Sequence, residues 1–215
     1  MKKGFTLSEV LITLGIIGVV AALTLPSLIT KHQKRVVATN TKSFFSIMHQ
    51  AVLLKNSQEN STSWLSEELS KRNNDIEKFY NDNFDNNIKS IGKTTVNGGS
   101  YLVALANGSG FYLWRSFVEE GKELQSPFLI TYCPNYKYCK KNGTECYDGR
   151  NGFLFKLDSE SNFTPYCSPK TNRTELVRQC AIKSVEHNKS HCCSALLQVD
   201  NWEIKDDYAF NINKP

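Results

Sequence analysis

No charged residue occurs between Val10 and Ile29. A run of that length is too apolar for an ordinary surface helix, and at about 1.5 Å per residue it is long enough to enter a membrane. No cysteine occurs before Cys133, and no two cysteines form a C-x-x-C pair. His187 and His191 stand near Cys192 without a second close cluster. That spacing does not make a structural zinc site, and no metal site is expected. No P-loop, G-x-S-x-G, H-E-x-x-H or dinucleotide fingerprint is present, and no spacing brings Ser, His and Asp together. The enzyme classes those motifs mark are excluded, and neither a catalytic residue nor a cofactor is expected. Excess charge is missing too. The net charge is +5 over 215 residues, with Lys2 and Lys3 supplying two of the positive charges. A mildly basic, solvated surface does not call for a nucleic-acid partner.

What the chain does have is seven cysteines: Cys133, Cys139, Cys146, Cys167, Cys180, Cys192 and Cys193. Such crowding behind an apolar N-terminal segment points to an oxidising compartment and disulfides. Seven is odd, so at least one thiol is free or pairs between chains. The adjacent Cys192 and Cys193 cannot bond to each other without a strained peptide. Each is expected to find a distant partner, or one is the odd thiol.

Three readings of the N-terminus compete. Residues 5–29 suit a plain transmembrane anchor. Met1-Lys2-Lys3 with Val20-Ala21-Ala22 suits a cleaved secretory signal. The third reading is a short leader cut between Gly4 and Phe5. Glu9 discriminates among them. A carboxylate in an apolar helix costs about 2.5–3.5 kcal/mol at mid-bilayer, and a signal peptide gains nothing from it. Four residues after Phe5, Glu9 lies roughly 6 Å along a helix from a new N-terminus. There a neighbouring subunit's α-ammonium can pair with it in low-dielectric surroundings. The plainer reading is that Glu9 reaches back to the headgroups.

The stretch GFTLSEVLITLGIIGVVAALTLP resembles the N-terminal segment of type IV pilins and type II secretion pseudopilins. Gly4, Phe5, Thr6, Leu7 and Glu9 match that pattern one by one. Gly18 and Pro26 fall where the family carries a helix-loosening glycine and a kinking proline, while Ser8 departs from the commoner Ile or Val. The resemblance implies that Gly4 ends the leader, that Phe5 becomes the N-methylated first residue, and that Glu9 is the assembly carboxylate. It implies three kinds of partner: other pilin-like subunits, a prepilin peptidase and an inner-membrane assembly platform. It further implies a single-pass bacterial inner-membrane protein with its C-terminal domain outside, reaching a periplasmic or surface filament after assembly. The positive charges resist this orientation, because Lys31, Lys34 and Arg35 outnumber Lys2 and Lys3. The cysteines, which need the outside, decide for it. Downstream, Gly149-Arg150-Asn151-Gly152-Phe153-Leu154-Phe155 resembles the G-x-[DN]-x-F-x-F end of a loop in one bacterial group of type II secretion-like proteins. Residues 138–148 depart from that group's acidic segment and insert cysteines, so no calcium site is carried over. The stretches Cys193–Leu197 and Asp200–Ile204 resemble the same group's ending.

The helix is expected to continue past the membrane. Val37, Thr41, Phe44, Met48 and Ala51 recur at helical spacing, with Phe45 and Val52 widening the stripe. The polar run from Lys55 marks its end. Trp64 to Phe84 reads as one or two short helices. Residues 101–106 and 111–114, joined by Asn107-Gly108, read as a hairpin. Residues 128–132 and 152–157 read as further strands, with a loop of three cysteines between them. Thr174 to Lys183 reads as a helix capped by Thr174. Asp206-Asp207 and Glu119-Glu120 read as solvated pairs. Trp64, Trp114 and Trp202 read as core, with stacking on single-stranded DNA as the other use.

The expected fold is therefore α+β and pilin-like, a long N-terminal helix packed on a C-terminal antiparallel sheet with disulfides. The expected division is a leader at 1–4, a helix at 5–56 with its membrane segment at 5–29, and an extracytoplasmic domain at 57–215. Two alternatives stay open: an exported soluble disulfide-rich protein with an ordinary signal peptide, and a DNA-binding minor pilin.

Overall fold

The computed structural model describes residues 6–59, 64–65, 75–96, 99–115, 128–144, 146–181 and 191–208. Helix α1 runs Leu7–Glu59 without interruption, roughly 80 Å at 1.5 Å per residue. It ends a turn beyond the polar signal at Lys55, where Lys55 pairs with Glu59 one turn on. Its second half buries Ala38, Thr41, Phe44, Met48, Ala51 and Val52, with Val37 and Phe45 partly covered. Helix α2 follows at Ile76–Asn83, its N-terminus capped by the Asp75 carboxylate, which accepts from the Lys78 N–H. Trp64 and Leu65 are helical too, and the remainder of the 66–74 stretch lies outside the described residues.

Among the described residues six strands form one antiparallel meander: β1 Ser90–Val96, β2 Ser100–Leu105, β3 Gly110–Arg115, β4 Phe128–Cys133, β5 Phe153–Leu157 and β6 Phe163–Pro165, in spatial order β1 to β6. The hairpin read from Asn107-Gly108 is β2–β3, with Gly108 at φ +82°, a conformation glycine adopts without penalty. Strands β2 and β4 are buried at every position. The reason is that both sheet faces are covered, which is why these strands read as continuous apolar runs rather than alternating ones. One face carries Tyr101, Val103, Phe111, Ile130, Tyr132 and Phe155 against α1 and α2. Phe44 is the joint: its ring stacks on Tyr132 at 4.3 Å and meets Phe111 at 5.2 Å and Phe155 at 5.8 Å.

The opposite face is covered by the segment between β4 and β5. That segment is not simply a loop, since helix α3 occupies Tyr136–Asn142, capped by Asn135, whose side chain accepts from the Lys137 N–H. Seven residues with three lysines and two tyrosines carry too short an apolar pattern to announce a helix. Beyond it the Asp148 carboxylate gathers five donors: the N–H groups of Arg150, Asn151 and Gly152, the Asn151 side-chain amide and the Tyr138 hydroxyl. Gly152 passes so close to Cys146 that an added Cβ would lie 2.1 Å from the Cys146 carbonyl oxygen. The Gly149–Phe155 motif is thus the tie between this cover and β5.

Helix α4 spans Arg173–Ala181 and α5 spans Cys193–Val199. The cap of α4 is Asn172, which accepts from the Thr174 N–H at 2.8 Å, and not Thr174 itself. An Asx side chain two residues earlier reaches the open N–H better. Disulfides join Cys133 to Cys139, Cys167 to Cys192 and Cys180 to Cys193, while Cys146 is a buried free thiol. Cys192 and Cys193 therefore go to different elements.

Candidate functional site

The start of α1 is a reciprocal cap. The Thr6 N–H and hydroxyl both donate to Glu9 Oε2, at 2.8 and 2.7 Å, and the Glu9 N–H donates to Thr6 Oγ1 at 3.3 Å. This S/T-x-x-E arrangement satisfies N–H groups that a helix start leaves open. Both Thr6 contacts fall on Oε2, and Glu9 Oε1 has no partner among the described residues. Gly4 and Phe5, the expected cleavage point and methylated residue, lie outside the described residues.

From Leu7 the helix is apolar on every side. No residue of its apolar span from Leu7 to Ile29 is buried. Leu11, Ile12, Leu14, Ile16, Ile17 and Leu28 all point outward. An exposed apolar surface of this extent marks contact with lipid or with another chain. The hydroxyls within it are satisfied locally. Thr13 donates to the Glu9 and Val10 carbonyls, Thr24 to Val20, Ser27 to Thr24 and Thr30 to Pro26. None of these hydroxyls need cost the helix a dangling polar group in hydrocarbon. Gly18 and Pro26 both lie inside the continuous helix. A Cβ at Gly18 would meet nothing within 4 Å, so packing within the subunit does not require glycine there. Pro26 has no N–H to give the Ala22 carbonyl.

The domain takes hold of α1 just beyond this span. Lys34 Nζ lies 3.3 Å from Asp206, and Trp202 packs on Phe45 at 5.2 Å. Behind them Arg173 forks to both oxygens of Asp200 and to Asp207, and Lys205 also meets Asp200 at 2.7 Å. The pair Asp206-Asp207 is therefore ion-paired on both members rather than merely solvated. Glu119-Glu120 lies outside the described residues. Trp64 is buried against Phe79 and Trp114 donates to Thr131 Oγ1, so with Trp202 the three indoles are packing residues.

Sequence reading took Thr6 as a motif match and passed over its capping role, although T-x-x-E ahead of an apolar run was there to be read. It also passed over Asp148, whose Arg150, Asn151 and Gly152 donors lie within four residues and make a local Asx-turn signal, and Arg173, whose distant partners are set by the fold.

A membrane-capable N-terminal helix whose second half packs on a disulfide-bearing antiparallel sheet defines a type IV pilin-like, prepilin-type protein. Residues 1–25 match the prokaryotic N-terminal methylation motif, which places the chain in that class. Residues 27–212 match a family of unknown function (DUF6613), and the chain belongs to that family. No curated protein matches the chain, and no solved structure does.

Proposed function

We propose that the protein is a structural subunit of a type IV pilus or a type II secretion pseudopilus. In this reading a prepilin peptidase cuts between Gly4 and Phe5, and Phe5 is N-methylated. The subunit waits in the inner membrane with its disulfide-bearing domain outside, then enters a filament through α1 at an inner-membrane assembly platform. The work is mechanical, with no reaction at a catalytic centre.

The observation that carries this reading is Glu9. Its Oε2 is held by Thr6 and, among the described residues, its Oε1 is open, at the head of a helix that no described residue covers. A half-satisfied carboxylate in an apolar setting is costly unless a cation reaches it. An α-ammonium at Phe5 of a neighbouring subunit supplies that cation and fixes the axial register. Gly18 and Pro26 weaken the helix between that contact and the domain, so the span can loosen where neighbours crowd it.

The test separates cap from charge. Glutamine also serves a capping box, so Glu9→Gln keeps the Thr6 contacts and loses the charge. Glu9→Gln and Glu9→Ala are both expected to be processed and inserted but absent from sheared filaments. Wild-type incorporation of Glu9→Gln would reduce Glu9 to a cap. Intact mass and N-terminal sequence of the mature protein check the processing step: a methylated Phe5 is expected, and a start at Leu23 would make the segment an ordinary signal peptide.

A further inference from the structure

Three sulfurs meet on the outer face of the sheet. Cys133 ends β4, Cys139 stands on α3 and Cys146 follows α3, all at most 5% exposed, beneath Leu102, Tyr112 and Tyr138. The Cys146 Sγ lies 3.2 Å from Cys133 Sγ and 3.8 Å from Cys139 Sγ. A spare thiol lodged at random in the core has no reason to touch both sulfurs of a disulfide. Both neighbouring backbones are pinned as well. The Cys139 carbonyl accepts from the Gly143 N–H, and the Cys146 carbonyl accepts from the Asp148 N–H.

We propose that these three cysteines form an internal thiol–disulfide exchange site, so that the protein passes between a Cys133–Cys139 form and a Cys133–Cys146 form. The Cys146 sulfur stands close to both sulfurs but roughly square to the bond between them, so, as its proton leaves, its side chain turns into line with that bond and attacks Cys133 Sγ. The Cys133–Cys139 bond breaks, and its electron pair departs on Cys139 Sγ, which takes up a proton. One S–S bond and one S–H bond stand on each side, and no oxidant is consumed. Burial, with the Asp148 carboxylate adding to it, pushes the Cys146 thiol up to about 12, so thiolate is scarce and exchange is slow beside that of a solvent-exposed thiol. The two forms differ in one respect. In the first, α3 is tethered to β4. In the second, α3, which presents Lys137, Lys140 and Lys141 outward, carries no covalent tie of its own and is held by packing and by hydrogen bonds such as Tyr136 N–H to the Gly108 carbonyl and Tyr138 to Asp148.

The chain's own lysines make the test direct. Cleavage after Lys137, Lys140, Lys141 and Arg150 puts the three cysteines on three different tryptic peptides. Full-length protein in detergent, held at mildly alkaline pH, is quenched with acid, alkylated in denaturant and mapped without reduction. Two linkages are expected: Cys133–Cys139 with Cys146 alkylated, and Cys133–Cys146 with Cys139 alkylated. Cys139→Ser is expected to form Cys133–Cys146 throughout, with Cys167–Cys192 and Cys180–Cys193 intact. A wild-type map holding Cys133–Cys139 alone after prolonged incubation overturns the proposal. So does a Cys139→Ser protein with its other two disulfides formed and both Cys133 and Cys146 alkylated. If Cys139→Ser fails to form those two disulfides, the wild-type map decides.

Discussion

Single side chains join the two halves of this molecule. Glu9 closes a helix cap on one oxygen and, among the described residues, leaves the other open, so one residue serves both folding and assembly in the proposed reading. Phe44 does the equivalent work for the domain. It is 2% exposed and sits among Tyr132, Phe111, Phe155 and Phe163. Truncating it removes a ring from the contact between α1 and the middle of the sheet. Phe44→Ala is expected to destabilise the protein by about 3–5 kcal/mol, read as a lower thermal midpoint in detergent. An unchanged midpoint would mean that α1 contributes little to the domain's core. Phe44 was legible from helical spacing alone. Trp202 was read as core too, but its backbone was not legible: it takes φ +63° after α5, a strained choice for a bulky residue that its packing on Phe45 offsets.

At the scale of elements, the C-terminal segment is a clip. Arg173 on α4 and Lys205 hold Asp200 and Asp207, and the buried Tyr208 hydroxyl donates to the Gly149 carbonyl at 2.9 Å. The Asp207 carboxyl is held below its ordinary value by hydrogen bonds from Arg173. At Asp200, burial acts to raise the value, and hydrogen bonds from Arg173 and Lys205 outweigh it, so the net direction is down. Carboxylates depressed in this way stabilise the fold above their unfolded pKa, about 3.9. That contribution is lost as pH falls through the lower folded values. The clip is expected to open below about pH 4. Amide exchange at residues 200–208 should then accelerate before that of β3 and β4, and a simultaneous loss of protection would refute a separate clip. None of these pairings follows from sequence, because Arg173 and Asp207 are brought together only by the packing of α4 beside α5.

The whole molecule is an apolar rod set into a cross-linked head. In the head, Cys180–Cys193 ties α4 to the start of α5, and Cys167–Cys192 ties the same turn to the end of β6. Replacing Cys180 and Cys193 together by serine is expected to cost about 3 kcal/mol, read from the denaturant midpoint of the full-length protein. An unchanged midpoint would show that packing of Leu196 and Leu197 holds α5 without the bridge. The same change should leave membrane insertion untouched, since among the described residues none of α1 from Leu7 to Ile29 is buried against the head.

The sequence by itself determined the rod, the class of N-terminus, the β2–β3 hairpin, strands β4 and β5 and the stripe that meets the sheet. Each of these is written in local pattern: an uncharged run, a matched motif, an Asn-Gly turn, a 3.6-residue period. Strand β1, with every central position exposed, and the three-residue β6 carry no such pattern. Neither does α3 or the pairing of the seven cysteines. Those were decided by tertiary structure. Edge strands and short covers form because a neighbour offers hydrogen bonds or apolar surface. A disulfide forms where the packed chain brings two sulfurs within reach, and at Cys133, Cys139 and Cys146 it brought three.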